Sequence, residues 1–210
     1  MHRLLGKKKH NHDNEYEHKE ISSSSVQPTI LTKNLASALP ESVILPQDSA
    51  AFTQSQNSYW AQQEREAVPA SVVKPRDTQE LSTAIRIINQ EYSERGGEPG
   101  AAGIFAVRSG GHSPVSGAAS LSGRVIIDLG AFCSITVSED QSSVNIGAGA
   151  KWADVYKVMD VKGLTVVGGR NSAVGVGGFL LGGMYRFAST FHNSTSPHLP
   201  RSLFRARFLG

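Results

Sequence analysis

The chain has 210 residues, 39% of them hydrophobic and 19% charged, with a single cysteine. That suffices for one sizeable core and excludes a disulfide framework or a multi-cysteine metal site. The formal charge of +3 belongs to the ends: residues 185–210 carry four arginines and no acid, while 21–184 carry 12 basic and 14 acidic side chains, so the folded body is not expected to track nucleic-acid phosphates.

Residues 1–34 open as a polar, His- and Ser-rich leader without period, expected to stay unstructured and to hold no metal on His2, His10, His12 or His18. No apolar run approaches the roughly 20 residues of a membrane-spanning helix, and residues 1–9 lack the apolar stretch of a secretory signal. A cytoplasmic protein without membrane or nucleic-acid partners is the default expectation. Residues 35–66 mix Leu35, Leu39, Val43 and Leu45 with Tyr59 and Trp60 and read as an ordered lead-in along a domain edge.

The main domain is expected over 67–184. Residues 71–75 are a short strand stopped by Pro75. Asp77 then caps a helix, with Glu80 three residues on. Leu81, Ala84, Ile85, Ile88 and Tyr92 form its apolar face, and Gly96-Gly97 ends it. A strand follows at 104–107, completing a strand–helix–strand unit that favours parallel pairing. Further strands are expected at 125–129, 134–138, 143–146 and 164–167. A second helix lies between the last two, with Trp152, Val155, Tyr156 and Met159 on one face and Gly163 at its end. The fold class is α+β, with helices packed on mixed sheets.

Fifteen of the 21 glycines lie between Gly110 and Gly183. Two clusters directly follow strands: Arg108-Ser109-Gly110-Gly111-His112-Ser113, and the run from Gly168 to Gly183. Glycine lets backbone N–H groups approach a ligand, and consecutive N–H groups form an anion-holding concavity. Tight turns alone also explain a single such loop; two in one domain point to a ligand. A dinucleotide fingerprint starting at Gly175 fails at Leu180, and no P-loop or nucleophile elbow is present. Cys133 reads as a small buried hydrophobe rather than a nucleophile. Asp128 reads as a turn cap.

The stretch Phe105-Ala-Val-Arg-Ser-Gly-Gly-His112-Ser resembles the flavin-attachment loop of berberine-bridge-enzyme-like oxidoreductases, whose FAD-binding domain is of the PCMH type. The likeness continues through Val125-Ile-Ile-Asp-Leu129, Val144-Asn-Ile-Gly-Ala-Gly149-Ala-Lys-Trp152, Leu164-Thr-Val-Val-Gly-Gly169-Arg and Val174-Gly-Val-Gly-Gly-Phe-Leu-Leu-Gly-Gly183, and covers roughly residues 40–183 in order. It implies FAD as cofactor, with the His112 ring bonded to the flavin 8α-carbon. Arg108, Ser109, Gly110, Gly111 and Ser113 would wrap the pyrophosphate through backbone amides, and Gly175, Gly177 and Gly178 would lie along FAD from the other side. Gly117, Gly169, Val174 and Gly182 complete the implied cofactor-binding set. The implied activity is oxidation of a small organic substrate, at CH–OH or a similar carbon, with O2 as acceptor, as in flavoproteins of secondary metabolism, some of which are secreted.

Departures qualify the resemblance. Asn171 stands near the position of a second flavin-bonding cysteine, so attachment is expected to be single at most. Met184 replaces a further glycine, and residues 185–210 match no part of the family pattern and show no clear period. No catalytic base or metal site is identifiable. The expectation is the FAD-binding half of such an enzyme without its C-terminal substrate domain, weakly active or inactive as it stands. The alternatives are a non-enzymatic, poorly folding fragment and, less favoured, a nucleic-acid binder acting through the arginine tail. Asn193-Ser194-Thr195 is an idle glycosylation triplet.

Overall fold

The computed structural model of the chain describes residues 29–96 and 104–182, and the backbone of 201–203 and 205–209. The histidine-rich leader up to residue 28, Gly97, Gly183, Met184 and the Asn193 triplet lie outside the described residues.

The first unit starts earlier than its sequence suggests. Helix α1 (Ile30–Ala38) is capped by Thr29, whose side chain accepts from Thr32 N, so residues 30–34, assigned above to the polar leader, are helical. Leu31, Leu35 and Leu39, spaced by four, are buried against Ala84 and Ile88 of the long helix at 78–94. The lead-in continues through β1 (Val43–Ile44), α2 (Ser49–Asn57) and α3 (Gln62–Arg65). Then come β2 (Ser71–Val73), α4 (Thr78–Glu94), β3 (Phe105–Arg108) and β4 (Val125–Asp128).

These strands form one sheet in the order β1-β2-β4-β3. Strand β4 lies between β2 and β3, parallel to both, and β1 pairs with β2 antiparallel. All four residues of β4 are buried, because both faces are covered. Val125 and Ile127 meet α1 and α4 through Leu35, Ala84 and Ile88, while Ile126 meets Val72, Ala106 and Phe52 of α2 on the other face. The expected strand–helix–strand unit is therefore present, with β4 inserted between its two strands.

Asp77 caps α4 as expected, accepting from Gln79 N and Glu80 N at 2.9 Å each. Glu80 does not reach back to the cap residue. It accepts instead from Arg76 N at 2.8 Å and from Ser42 Oγ at 2.6 Å, and pairs with the Arg76 guanidinium. The buried face of α4 holds Ala84, Ile88 and the aliphatic part of Glu91, whereas Ile85 is exposed.

The second unit comprises β5 (Ile135–Val137), β6 (Ser143–Gly147), α5 (Trp152–Val161), β7 (Leu164–Val166) and α6 (Val176–Leu181). Its core surrounds Trp152, which is fully buried among Val144, Ile146, Val155, Met159, Val166 and Phe179. The indole packs edge-on to Phe179 at 5.3 Å and stacks with Tyr156 at 5.8 Å. The arginine tail, read above as lacking a period, supplies two strands. These are β8 (Arg201–Leu203), parallel to β7, and β9 (Arg205–Leu209), parallel to β6 with Ala206 opposite Val144 and Phe208 opposite Ile146. The alternation in Arg205-Ala-Arg-Phe-Leu is too short to stand out in sequence.

Cys133 is exposed, not buried as expected. Residues 129–134 make a turn whose backbone docks on β6 and its successor, through Gly147 N to Ser134 O and Gly149 N to Phe132 O. That docking leaves the thiol outside.

Leu35→Ala should cost about 2–5 kcal/mol, the usual range for emptying a fully buried leucine site, seen as a lower urea midpoint at unchanged slope. An unaffected midpoint would remove α1 from the core. The hydrogen bonds from Arg76 and Ser42 hold the Glu80 carboxyl at about 2, below its ordinary 4.5. Its contribution is then complete above about pH 4.5 and is lost as pH falls toward 2. Glu80→Gln should erase that acid-limb component from urea midpoints measured between pH 7 and 2.

Candidate functional site

The parallel strands β2, β4 and β3 end side by side at Val73, Asp128 and Arg108. A cleft of about 500 Å³ opens there, lined by Gln54, Ser55, Ser58, Lys74, Arg108, Ser109, Gly110, Asp128, Gly130, Cys133, Gly149, Lys151 and Asp154. Open parallel sheets bind ligands at this end of their strands.

The Arg108 guanidinium is buried, and both of its terminal nitrogens are engaged within the protein. It donates to Asp128 Oδ2 at 2.5 Å, to Ser55 O and Ser55 Oγ at 2.9 Å, and to Ser58 Oγ at 3.0 Å. It also lies 4.5 Å from the centroid of the Tyr59 ring. Burial pushes the Tyr59 phenol above its ordinary value, which Arg108 partly opposes; its hydroxyl donates to Ala119 O. Asp128 caps its turn as expected, accepting from Gly130 N at 3.0 Å, and its other oxygen also faces Lys74 at 3.8 Å. Arg108 therefore anchors the loop that follows it, and its charge is not free for an anion.

That loop meets the second glycine cluster directly. A Cβ built on Gly110 would lie 2.5 Å from Gly175 N and 2.6 Å from Gly175 Cα, so the two backbones touch where any side chain would part them. Ser109 Oγ donates to Ala148 O at 2.6 Å, and a Cβ on Gly177 would fall 3.2 Å from that hydroxyl. Gly175 bridges Lys151, and Val174 O accepts from Trp152 N. Gly111, at φ +64°, accepts from Trp60 N through its carbonyl. The His112 ring stacks on Trp60 at 4.9 Å, and its Nε2 lies 3.4 Å from Asn171 Nδ2.

Of the expected cofactor positions, Ser109, Gly110, Gly111, His112, Val174, Gly175 and Gly177 thus come together. Gly178, in the first turn of α6, faces open space. Ser113 closes a small turn by accepting from Val115 N. Gly117 lies in a loop that α3 holds by Glu64 Oε1 accepting from Ala118 N. Gly169 packs against the Trp152 ring, and Gly182 closes α6; of the expected positions, Arg108, Ser109 and Gly110 line the cleft.

Lys74, Gly130, Gly149 and Lys151 line the cleft without having been singled out from sequence. Lys74 and Gly130 carried a readable signal, since each stands at or just beyond the C-terminal end of a parallel strand. Gly149 and Lys151 stand in the Val144–Trp152 stretch that carries the family likeness, but nothing local marks them as lining residues. The lining fits a diphosphate-bearing cofactor: with Arg108 neutralised by Asp128, Lys74 and Lys151 outnumber Asp154, and the backbones of Gly110, Gly130 and Gly149 face the same space. Among the described residues no His/Cys/Asp/Glu group has the arrangement of a metal site, and no helix is long and apolar enough to cross a membrane.

The sequence profile of the FAD binding domain family matches residues 69–199. An FAD-dependent monooxygenase of Cochliobolus heterostrophus is 38% identical over 134 residues, covering 64% of this chain and 24% of that protein. An FAD-dependent monooxygenase of Penicillium roqueforti is 35% identical over 173 residues, covering 82% of this chain and 31% of that protein. The chain thus spans about a quarter to a third of the length of these curated relatives. Among solved structures, 6-hydroxy-D-nicotine oxidase from Arthrobacter nicotinovorans superposes with a TM-score of 0.51 at 25% identity, over 64% of this chain and 26% of that one. BBE-like 1 of Physcomitrella patens gives 0.56 at 20% identity, over 72% and 30%, and shows the same fold, the PCMH-type arrangement expected from the sequence.

Gly175→Ala should force Gly110 and Gly175 apart, because the added methyl meets backbone rather than a movable side chain. The expected cost is about 1–3 kcal/mol, accompanied by new exposure of the 109–112 amides to hydrogen exchange. Unchanged exchange there would show that the two loops do not meet in solution.

Proposed function

Because the chain belongs to the FAD binding domain family, we propose that it is the cofactor-holding part of an oxidoreductase that oxidises a small organic molecule, at CH–OH or a similar carbon, with O2 as acceptor. The contact of Gly110 with Gly175, with His112 beside it, is the observation that carries this reading. The chemistry that FAD supplies when bound is two-electron transfer from an organic carbon to O2.

In this reading the amides from Ser109 to Gly111, and those of Gly175 and Gly177, hold the diphosphate without a side chain between ligand and backbone. Lys74 and Lys151 add positive charge at the cleft wall. Arg108 fixes the first loop from behind through Asp128 and the α2 serines, so that the loop is rigid before a ligand arrives. His112 carries the single covalent tether to the flavin 8α-carbon; Asn171, across from it, supplies no thiol for a second. The names of these curated relatives support the use of O2, because monooxygenases consume it.

The test is incubation of the full chain with FAD in air, followed by acid precipitation and peptide mapping. A fluorescent adduct on the His112 peptide is expected from the wild-type chain. His112→Ala should give none, yet still bind FAD reversibly with a saturable absorbance change. Absence of saturable flavin binding by the wild-type chain would sink the reading as a whole, whereas reversible binding without an adduct would remove the tether alone.

A further inference from the structure

Trp60 combines a fixed backbone with an exposed side chain. Its N–H donates to Gly111 O at 2.9 Å, and its carbonyl accepts from the Arg65 guanidinium at 3.5 Å. Tyr59 beside it is buried, with its hydroxyl donating to Ala119 O at 2.8 Å and its carbonyl held by Arg65 Nε at 2.6 Å. Three residues further on, Gln63 Nε2 donates to Pro114 O. The turn from Tyr59 to Gln63 is thus fastened to the first glycine loop on both sides of His112. The Trp60 indole nevertheless stays 58% exposed. One face carries the His112 ring, at 4.9 Å with 27° between planes; an indole is wider than an imidazole, so this stack leaves aromatic surface uncovered. Single apolar side chains are common on any surface. What marks this one is its rigid mounting and its place, against the ring that stands at the meeting of the two glycine loops.

We propose that Trp60 is a binding residue for the isoalloxazine of FAD, the flat aromatic surface that recognises the ring system beside His112. This rests on the reading of the chain as an FAD-holding module and adds the residue that selects the flavin rather than the diphosphate. Glycine amides and lysines hold a diphosphate whatever it carries. A rigid indole discriminates, because it is electron-rich and isoalloxazine is electron-poor, so that stacked contact between them is favourable. Adenine, the other ring of FAD, could use an exposed indole through the same stacking chemistry. Position separates the two: neither Trp60 nor His112 lines the lysine-bearing cleft, and Trp60 covers the histidine assigned to the flavin end. The fixed backbone at Trp60 means that little further order has to be imposed when the ring arrives.

The probes are 8-demethyl-FAD, which lacks the methyl carbon a tether needs and so binds the full chain reversibly, and ADP, which carries the diphosphate and adenine without the flavin. Trp60→Ala should bind 8-demethyl-FAD about tenfold more weakly than wild type, the effect of one aromatic stack, and ADP with unchanged affinity. Trp60→Phe keeps a stacking ring and should stay within about threefold of wild type for both probes. An indole in contact with a flavin quenches its emission and a phenyl ring does not, so the bound flavin should be brighter in Trp60→Phe than in wild type. A merely structural role for Trp60 would not move that signal. Trp152, the other tryptophan, is fully buried and reports folding in both variants; should Trp60→Ala fail to fold, the emission of Trp60→Phe decides. Equal flavin affinity in a folded Trp60→Ala, or equal bound emission in wild type and Trp60→Phe, would overturn the proposal. An equal loss of ADP affinity in Trp60→Ala would give the surface to adenine and overturn it too. In each of those cases saturable flavin binding by wild type leaves the FAD reading standing, whereas its absence would remove that reading and this site together.

Discussion

The approach of Gly110 to Gly175 is the constraint on which the rest of the site depends. The first loop leaves the parallel sheet of the first unit, the second enters α6 of the second unit, and they touch with no side chain between them. Around this contact lie the Ser109 hydroxyl on Ala148 O, the bridge from Lys151 to Gly175, and the meeting of His112 with Asn171 across 59 residues of chain. Backbone packed on backbone transmits position with little slack. An imidazole on one unit can therefore be oriented by an amide on the other.

Behind that contact is a buried charge. Arg108 could serve an anion only by leaving Asp128, Ser55 and Ser58, and the buried carboxylate would then keep only Lys74 at 3.8 Å as a counter-charge. A lysine could not replace it, because a compact ammonium does not present the planar fork that reaches a carboxylate and two serines while lying over a tyrosine ring. The arginine thus ties the ends of β3 and β4 to α2. In the proposed reading, anion recognition falls to the glycine backbones and to Lys74 and Lys151.

The fold was legible where periodicity and punctuation agree. Asp77 before α4, the spaced apolar face of α5 and the short runs of β4 and β6 each signal an element locally. What stayed hidden depends on tertiary placement. Residues 30–34 look polar until Leu31 is set against α4. Cys133 looks like a core residue until its turn docks through backbone. The strand at 205–209 has too few residues to announce its alternation. At the site, the two glycine clusters were visible as clusters, but their mutual contact, the engagement of Arg108 inside the protein and the facing of Asn171 with His112 are non-local, and no spacing in the sequence encodes them.

The edge position of His112 has its own physical logic. A half-exposed ring on a loop would ordinarily sample several rotamers, and fixing it costs side-chain entropy. Stacking on Trp60, itself 58% exposed, and the hydrogen bond from Asn171 offset that cost. They do so from one face and one edge, so the rest of the ring stays accessible. A deeply buried histidine would be held more firmly but would be closed to a partner arriving from outside, and a free one would be open but unoriented. Clamping the ring at the seam between two backbone-packed loops gives both orientation and access, and it places the cation-lined cleft and the imidazole on the same loop, joined by Ser109, Gly110 and Gly111.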